Sequence, residues 1–391
     1  MISESEALDR ILAGITPLPA ESIPPVLAAG RFSAEEIHSP IALPALDQSS
    51  MDGYAVRSAD TPGALRLVGE QPAGVARNLT VGRGETVRIF TGAPMPAGAD
   101  AVVMQEDVSA DGGIARIGEA IPVGEFVRRS GSDVCRGQWL LGIGEAITSA
   151  RIGLLCAAGI QELKSHCRAR IGIISSGNEL RQPGESLAPG EIFESNVPML
   201  SAQLASVATC IGTAHSPDDD LVLAERIRAL SAADALILSA GVSVGEYDPV
   251  HEALRRLGAE VDFWRVAVKP GKPFLFARLG TQWIFGLPGN PVSSFVTAHL
   301  FVRPALARLS GASAASAAPA RIRVPLATSI DNPGPRPHYV RAAIKNGLAC
   351  PAALQQSHGL SSLAASELLL RVPADARLQE GDLVDALPIT F

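Results

Sequence analysis

The chain has 391 residues, enough for about two to four domains with real cores. It carries 33 basic against 40 acidic residues, a net charge of −7, with no basic stripe and only 4% aromatic side chains. That balance excludes the electrostatic footprint and the stacking surface of a nucleic-acid binder.

Five cysteines (Cys135, Cys156, Cys167, Cys210, Cys350) lie far apart with no Cys-x-x-Cys pair. Such spacing argues against a disulfide frame or zinc site and suggests free thiols in a reducing compartment. The N-terminus is charged and acidic, unlike a signal peptide, and no apolar run approaches the ~18 residues of a membrane span. The expectation is a cytoplasmic protein that engages neither membrane nor nucleic acid.

From Ser5 to about Ala13 the spacing of Ala7, Leu8, Ile11 and Leu12 predicts a helix, ended by Pro17 and Pro19. From about Ser22 to Leu140, short apolar runs alternate with Gly, Pro and Asp, which predicts a strand-rich domain. Asp111-Gly112-Gly113 reads as a hairpin turn between Val103–Val108 and Ile114–Ile117. A helical or mixed piece follows over Ile147–Gly159.

Strands and helices then alternate from Ala169 to about Ser310. Arg170–Ile174, Ala235–Ser239 and Val261–Val268 read as strands, with Asn196 as a helix cap and Pro217–Asp220 opening the next helix. Such alternation predicts a doubly wound, mostly parallel sheet. Gly311–Ala320 reads as a low-complexity linker, and Arg321–Phe391 as a small β domain. The expected organisation is a multi-domain α/β protein. Residues 1–21 and 141–168 form a helical or mixed domain, 22–140 a strand-rich domain, 169–312 the doubly wound domain and 313–391 a C-terminal β domain.

Only four lysines occur in the chain, and two of them sit in Lys269-Pro-Gly-Lys272-Pro-Phe. Lysine is a compact point charge suited to approaching an oxyanion end-on. Downstream, Gly286-Leu-Pro-Gly-Asn-Pro291 is a strand running into a rigid loop and a helix start, a geometry that offers backbone N–H groups to an anion. The bland alternative is two tight turns with solvated lysines. Ligands in open α/β sheets bind beyond the carboxyl ends of the strands. Three such ends share one character here: Ser175–Glu179, Ser239–Asp248 and Pro288–Pro291 each combine glycine or proline with hydroxyl, carboxylate or amide groups. Glu179 and Asp248 are candidates for a divalent cation such as Mg²⁺, though both also suit helix caps.

The strand-rich domain has polar clusters of its own. Asp47–Arg57, Phe90–Pro96 and Arg128–Asp133 read, on residues alone, as turn chemistry and a surface ion pair.

Five of these stretches, taken together and in order, resemble the motif set of the MoeA family. They are Asp47-Gln-Ser-Ser-Met-Asp-Gly-Tyr-Ala-Val-Arg57, Ile89-Phe-Thr-Gly-Ala-Pro-Met-Pro-Ala-Gly-Ala-Asp100, Ser239-Ala-Gly-Val-Ser-Val-Gly-Glu-Tyr-Asp248, Lys269-Pro-Gly-Lys-Pro-Phe274 and Gly286-Leu-Pro-Gly-Asn-Pro291. Members are molybdopterin molybdenumtransferases, related to the E domain of gephyrin. The resemblance implies four domains, an elongated homodimer, and a cleft between the doubly wound domain of one subunit and the strand-rich domain of the other. It further implies insertion of molybdate into adenylylated molybdopterin with release of AMP, assisted by Mg²⁺.

Carried over by motif, the reacting centre is expected to comprise Asp52, Thr91, Asp133, Glu179, Asp248, Lys269 and Lys272. Substrate binding is expected from Arg128, Gly177, Asp218, Ser243, Gly245, Pro288, Gly289, Asn290, Pro291 and Ser362, and metal binding from Glu179 and Asp248. Implied protein partners are a molybdopterin adenylyltransferase and factors that mature molybdoenzymes. Asn178, Ala240 and Ser366 depart from the family pattern, which often has Asp, Gly and Asn there. Two other activities fit parts of the pattern: a non-catalytic scaffold of the gephyrin type, and a molybdopterin adenylyltransferase.

Overall fold

A computed structural model describes residues 1–240 and 249–389. Its central sheet is built from β1 (Ala169–Ser176), α1 (Asn196–Leu204), β2 (Ala208–Ser216), α2 (Asp220–Ala229), β3 (Ala235–Ala240), α3 (Pro249–Leu257), β4 (Glu260–Arg265), β5 (Pro273–Leu279), β6 (Gln282–Pro288) and α4 (Pro291–Thr297). Strand order is β2-β1-β3-β6-β5-β4. The first four are parallel, and the β4–β5–β6 meander closes the edge antiparallel. The sheet is therefore doubly wound and mostly parallel, as expected.

Burial on both faces explains the unbroken apolar run of β3, because successive side chains point to opposite sides. Ala235 and Ile237 join the cluster under α1 and the helical stretch from Pro291 to Leu309. Leu236 and Leu238 join the cluster under α2 and α3. The order of connections reverses at β1, which lies between β2 and β3. In open α/β sheets such a reversal is where a ligand-binding crevice forms between the strand ends.

The strand-rich region forms a six-stranded sheet, ordered Ala101–Met104, Gly53–Val56, Glu85–Ile89, Gly63–Gln71, Ile114–Ile117, Val108–Asp111. The hairpin turn falls at Gly112-Gly113, both with positive φ. Its first strand is shorter than expected, since a 3-10 turn at Gln105–Asp107 separates Ala101–Met104 from Val108–Asp111. A five-stranded antiparallel sheet, Ile322–Pro325, Leu383–Pro388, Leu368–Val372, His338–Lys345 and Leu348–Pro351, ends the chain. The stretch from Gly311 to Ala320 is not a plain linker. Ser313 caps a short helix at Ala314–Ala317, its N–H donates to the Gly144 carbonyl at 2.9 Å, and Ala312 and Ala317 are buried. Alanine-rich sequence reads as low complexity, yet its small side chains pack wherever a neighbour's backbone comes close. Among the described residues no helix is long and apolar enough to cross a membrane.

The first helix, Glu4–Gly14, is capped by Ser3 and buries Ala7, Ile11 and Leu12 in the central cluster. Its first residue is an acid with 8% of its surface exposed. Glu4 accepts from Arg321 Nη2 at 2.8 Å and from Arg371 Nε at 2.9 Å, tying the first helix to the last domain. Burial pushes its carboxyl up, but Tyr339 and the two guanidiniums outweigh that and leave it below its ordinary 4.5. Removing one partner of a buried ion group costs about 3–5 kcal/mol. Arg321 keeps 39% of its side chain in solvent, which points to the low end of that range. Glu4→Ala should therefore lower unfolding free energy by about 3 kcal/mol, read from the denaturant midpoint. The folded carboxyl titrates below the unfolded one, so this stabilisation is complete above the unfolded value and lost as pH falls through the folded value. The difference between Glu4→Ala and the native chain should thus shrink as the pH of the titration drops below 4.5.

Candidate active site

The crevice is assembled from the carboxyl ends of β1, β2, β3 and β6. Beyond β1, the Gly177 N–H donates to the Ser216 carbonyl of β2 at 3.2 Å, which draws the two strand ends together. Asp218 then reaches across: its carboxylate accepts from Ser176 Oγ at 3.2 Å and from the Asn178 N–H at 3.3 Å. Asn178 Oδ1 accepts in return from the Asp218 N–H at 3.3 Å, so the departure from Asp at 178 keeps an acceptor in place. Asp218 is available for this because the next residue, Asp219, caps α2, accepting from Leu221 and Val222 N–H groups. The exposed Glu179 folds back over Gly177, where a Cβ would stand 2.6 Å from its Oε2. Two carboxylates on neighbouring strand ends suit a hard divalent cation. Among the described residues they are not part of any cluster of three potential ligands. Asp248, Ser243 and Gly245 lie outside the described residues.

Asn196 is not the cap of α1. Glu194 takes that role, its Oε1 accepting from the Asn196 N–H at 2.6 Å and the Val197 N–H at 3.1 Å. The buried Asn196 amide instead donates to Ser239 Oγ at the end of β3 (2.9 Å) and to the Gly289 carbonyl beyond β6 (2.7 Å). A lone Asn before a helix reads as a cap; the distinguishing signal is the acid two residues earlier, which can do the same work.

At Pro288–Pro291, Pro288 is buried while Gly289 and Asn290 are exposed. Asn290 caps α4 through its carbonyl, which accepts from the Ser294 N–H at 2.9 Å, and Pro291 occupies the first helical turn. Val292 N–H donates to the Ser357 carbonyl of the C-terminal domain at 3.0 Å. That domain's loop is wrapped around the buried Arg341, whose guanidinium donates to the carbonyls of Leu354, Gln356 and Gly359. Ser362 is buried here and donates to Gly359 O at 2.9 Å, while Ser366 Oγ donates to the Ser362 carbonyl. The hydroxyl of Ser362 thus serves its own helix start.

The lysine loop lies on the same helix as Pro291. Gly271 has φ +117, and a Cβ there would stand 2.5 Å from Thr297 Cγ2, so only glycine lets the loop approach. Its ends are fixed by Val266 N–H to Lys272 O (3.1 Å), Lys269 N–H to Pro337 O (2.9 Å) and Tyr339 N–H to Lys269 O (2.7 Å). Both lysine side chains are exposed. Beside them, burial and then the charges of Lys269, Arg341 and Arg336 push the His338 imidazole down to about 4. At neutral pH the imidazole is therefore uncharged, and the positive charge here comes from the lysines together with Arg336 and Arg341.

In the strand-rich domain, Asp52 Oδ1 accepts from the Thr91 N–H at 2.7 Å and from Thr91 Oγ1 at 2.8 Å. The backbone bond above all, then the hydroxyl, holds its carboxyl below the usual range. Arg88, a residue the sequence reading passed over, stacks on Tyr54 and Phe90 with its guanidinium 4.9 and 5.5 Å from the ring centres. The alternation of Thr86-Val-Arg-Ile-Phe places it on the face of Phe90, which was the available signal. Arg128 pairs its backbone with Gln48, and Asp133 is exposed, with its N–H on Leu43 O. The ion pair expected within Arg128–Asp133 is absent among the described residues, because Arg129 pairs with Asp47 at 2.7 Å. Among the described residues, the hydrogen bonds of Asp52 and Thr91 stay within this domain and do not reach the lysine loop.

Three family models match successive parts of the chain: the MoeA N-terminal region (domain I and II) over residues 2–159, a probable molybdopterin binding domain over 172–308, and the MoeA C-terminal region (domain IV) over 323–389. A molybdopterin molybdenumtransferase of Haemophilus influenzae is 40% identical over 73% of this chain and 71% of its own length. Molybdopterin molybdenumtransferase 2 of Mycobacterium tuberculosis is 36% identical over 90% of this chain and 91% of its own. The crystal structure of the molybdopterin biosynthesis MoeA protein from Pyrococcus horikosii superposes with a TM-score of 0.79 at 28% identity, covering 100% of both chains. With its five motifs in register, its doubly wound sheet and these relatives, the chain belongs to the MoeA family.

Proposed function

We propose that the protein is a molybdopterin molybdenumtransferase of molybdenum cofactor biosynthesis, inserting molybdate into the dithiolene of adenylylated molybdopterin as the phosphoanhydride is cleaved and AMP leaves. The observation that carries this reading is the lysine loop seated on the helix that begins at Pro291. The antiparallel pairing of Leu275 with Gly286 puts that loop at the sheet end where β6 exits, and in this reading its two exposed cations face a crevice whose strand-end loops are pinned together. Two anions, a diphosphate and an oxyanion, need such a surface. The relatives carrying the transferase name disfavour both a scaffold role and an adenylyltransferase.

In this reading Lys269 and Lys272 neutralise phosphate and molybdate oxygens, and the loops Gly177–Glu179 and Pro288–Pro291 orient the diphosphate. Asp218 supports the first of these loops; Ser243 and Gly245 would contribute from the segment after β3. Mg²⁺, held by Glu179 and Asp248, would supply further charge neutralisation at the diphosphate when bound. No side chain need become covalently attached; orientation and fixed charge in a closed site are sufficient catalytic devices. Asp52, Thr91, Arg128 and Asp133 would close the site from the strand-rich domain of a second subunit, which makes the working form a homodimer. Asp52 and Thr91 are bonded to each other, so the strand-rich domain would present them as one unit. The five free cysteines suit a reducing, cytoplasmic compartment. An adenylyltransferase upstream and maturation factors downstream are the partners this role calls for.

Turnover of adenylylated molybdopterin with molybdate, followed by AMP release, tests the activity directly; no AMP from native protein rejects it. Exposed turn lysines contribute little to stability, within about 0.5 kcal/mol. Lys269→Ala/Lys272→Ala should therefore keep the native Tm and lose most of the turnover. Gly271→Ala leaves both charges but drives a methyl into Thr297, an overpacking that costs about 1–3 kcal/mol or displaces the loop. Its turnover should fall with the lysines intact, which separates placement from charge.

The shared cleft is tested by mixing two inactive variants, Asp52→Ala and Lys272→Ala. Random exchange in a two-fold dimer makes about half the dimers mixed, and each mixed dimer holds one untouched site. About a quarter of native activity should return on co-refolding. Verified heterodimers without recovered activity would place the whole site within one chain.

A further inference from the structure

Asn196 is given no part in binding or turnover in the reading above, yet its amide is what pins two of the crevice loops, and it begins the helix that follows the third. It is 8% exposed and sits at the start of α1, where an Asn is ordinarily spent on capping. Glu194 performs that task, so the amide is free to act across the sheet. The Gly289 carbonyl can only accept, so the nitrogen that faces it is fixed as Nδ2. Ser239 and Gly289 flank the last rung of the β3–β6 ladder, Ala240 opposite Pro288. Proline has no N–H with which to extend a ladder, and Asn196 supplies a donor just past that point. Asn196 Oδ1 and Glu194 Oε2 are buried and find no partner among the described residues. Buried acceptors left unmatched cost stability, so the arrangement is poorly explained as a device for stability alone.

We propose that Asn196 is a positioning residue for the transfer reaction. Its amide sets the spacing between the exit of β3 and the Gly289-Asn290 turn, and so the register in which the crevice loops meet the diphosphate. This inference rests on the transferase reading and is tested on the full-length protein. Asn196→Ala removes both donors, and Asn196→Asp replaces them with acceptors in nearly the same shape. A misplacement of about 1 Å remote from the reacting atoms can cost about 10²-fold. Both variants should bind adenylylated molybdopterin at native stoichiometry with little change in KM, while kcat falls by about 10²-fold. Ser239→Ala should cost less, and adding it to Asn196→Ala should cost nothing further, because Ser239 acts through the same amide.

Hydrogen exchange at residues 286–292 should speed up in both Asn196 variants. Loss of binding stoichiometry in step with kcat, unchanged kcat, or multiplying losses in the double variant would overturn the proposal. If native protein releases no AMP, the transferase reading fails by itself. The exchange measurement then still decides: native protection at 286–292 in Asn196→Ala removes the positioning role.

Discussion

Parallel strands cannot be joined by tight turns, and most of this molecule follows from that constraint. The chain returns along one face through α1 between β1 and β2, along the other through α2 between β2 and β3, and reaches β6 only after α3 and the antiparallel strands β4 and β5. The helices that make those returns cover both faces, which is why Ile237 and Leu238 are buried on opposite sides. The reversal at β1 sends the two returns to opposite faces, which is what parts the loops into a gap at the carboxyl end of such sheets. Polar loops collect there because no helix covers them, and the site exists where the packing rule runs out.

What turns the gap into a defined site is a small number of polar groups working between elements. Asp218 joins the ends of β1 and β2, Asn196 joins β3 to the turn after β6, and the Arg341-wrapped loop hands a carbonyl to Val292. In the first two cases a neighbour has taken over the local duty. Asp219 caps α2 beside Asp218, and Glu194 caps α1 beside Asn196. Duplicated capping capacity is what leaves a polar side chain free to reach across the fold.

The strand–helix alternation, the apolar runs and the turn chemistry at Gly112-Gly113 were legible because they depend on local periods and on backbone conformations that few residues adopt. The lysine pair stood out against an arginine-rich chain, and the loop placement follows from a general rule about strand ends. Duty among adjacent polar residues was not legible. Glu194, Ser195 and Asn196 all suit a cap, and only their three-dimensional neighbours decide which serves. The same holds for Arg129, which had acids available on both sides in sequence and chose Asp47 across the sheet. Ala312 and Ala317 were misleading in the other direction, since composition says nothing of a docking surface contributed by Gly144.

The contact between Glu4 and Arg371 also orders events in time. A chain emerging from the ribosome presents its first helix long before the last domain exists, and domains generally fold in the order of synthesis. Glu4 gains its first guanidinium partner with Arg321 and its second only when residue 371 arrives, so the tie between the first helix and the last domain is completed late. Its apolar face, Ala7, Ile11 and Leu12, packs in the cluster that holds Phe301, Leu306 and Leu309, so its cover is made before its charge partners are. A nascent chain stalled before Arg321 would hold that helix in place with its acid still unpaired.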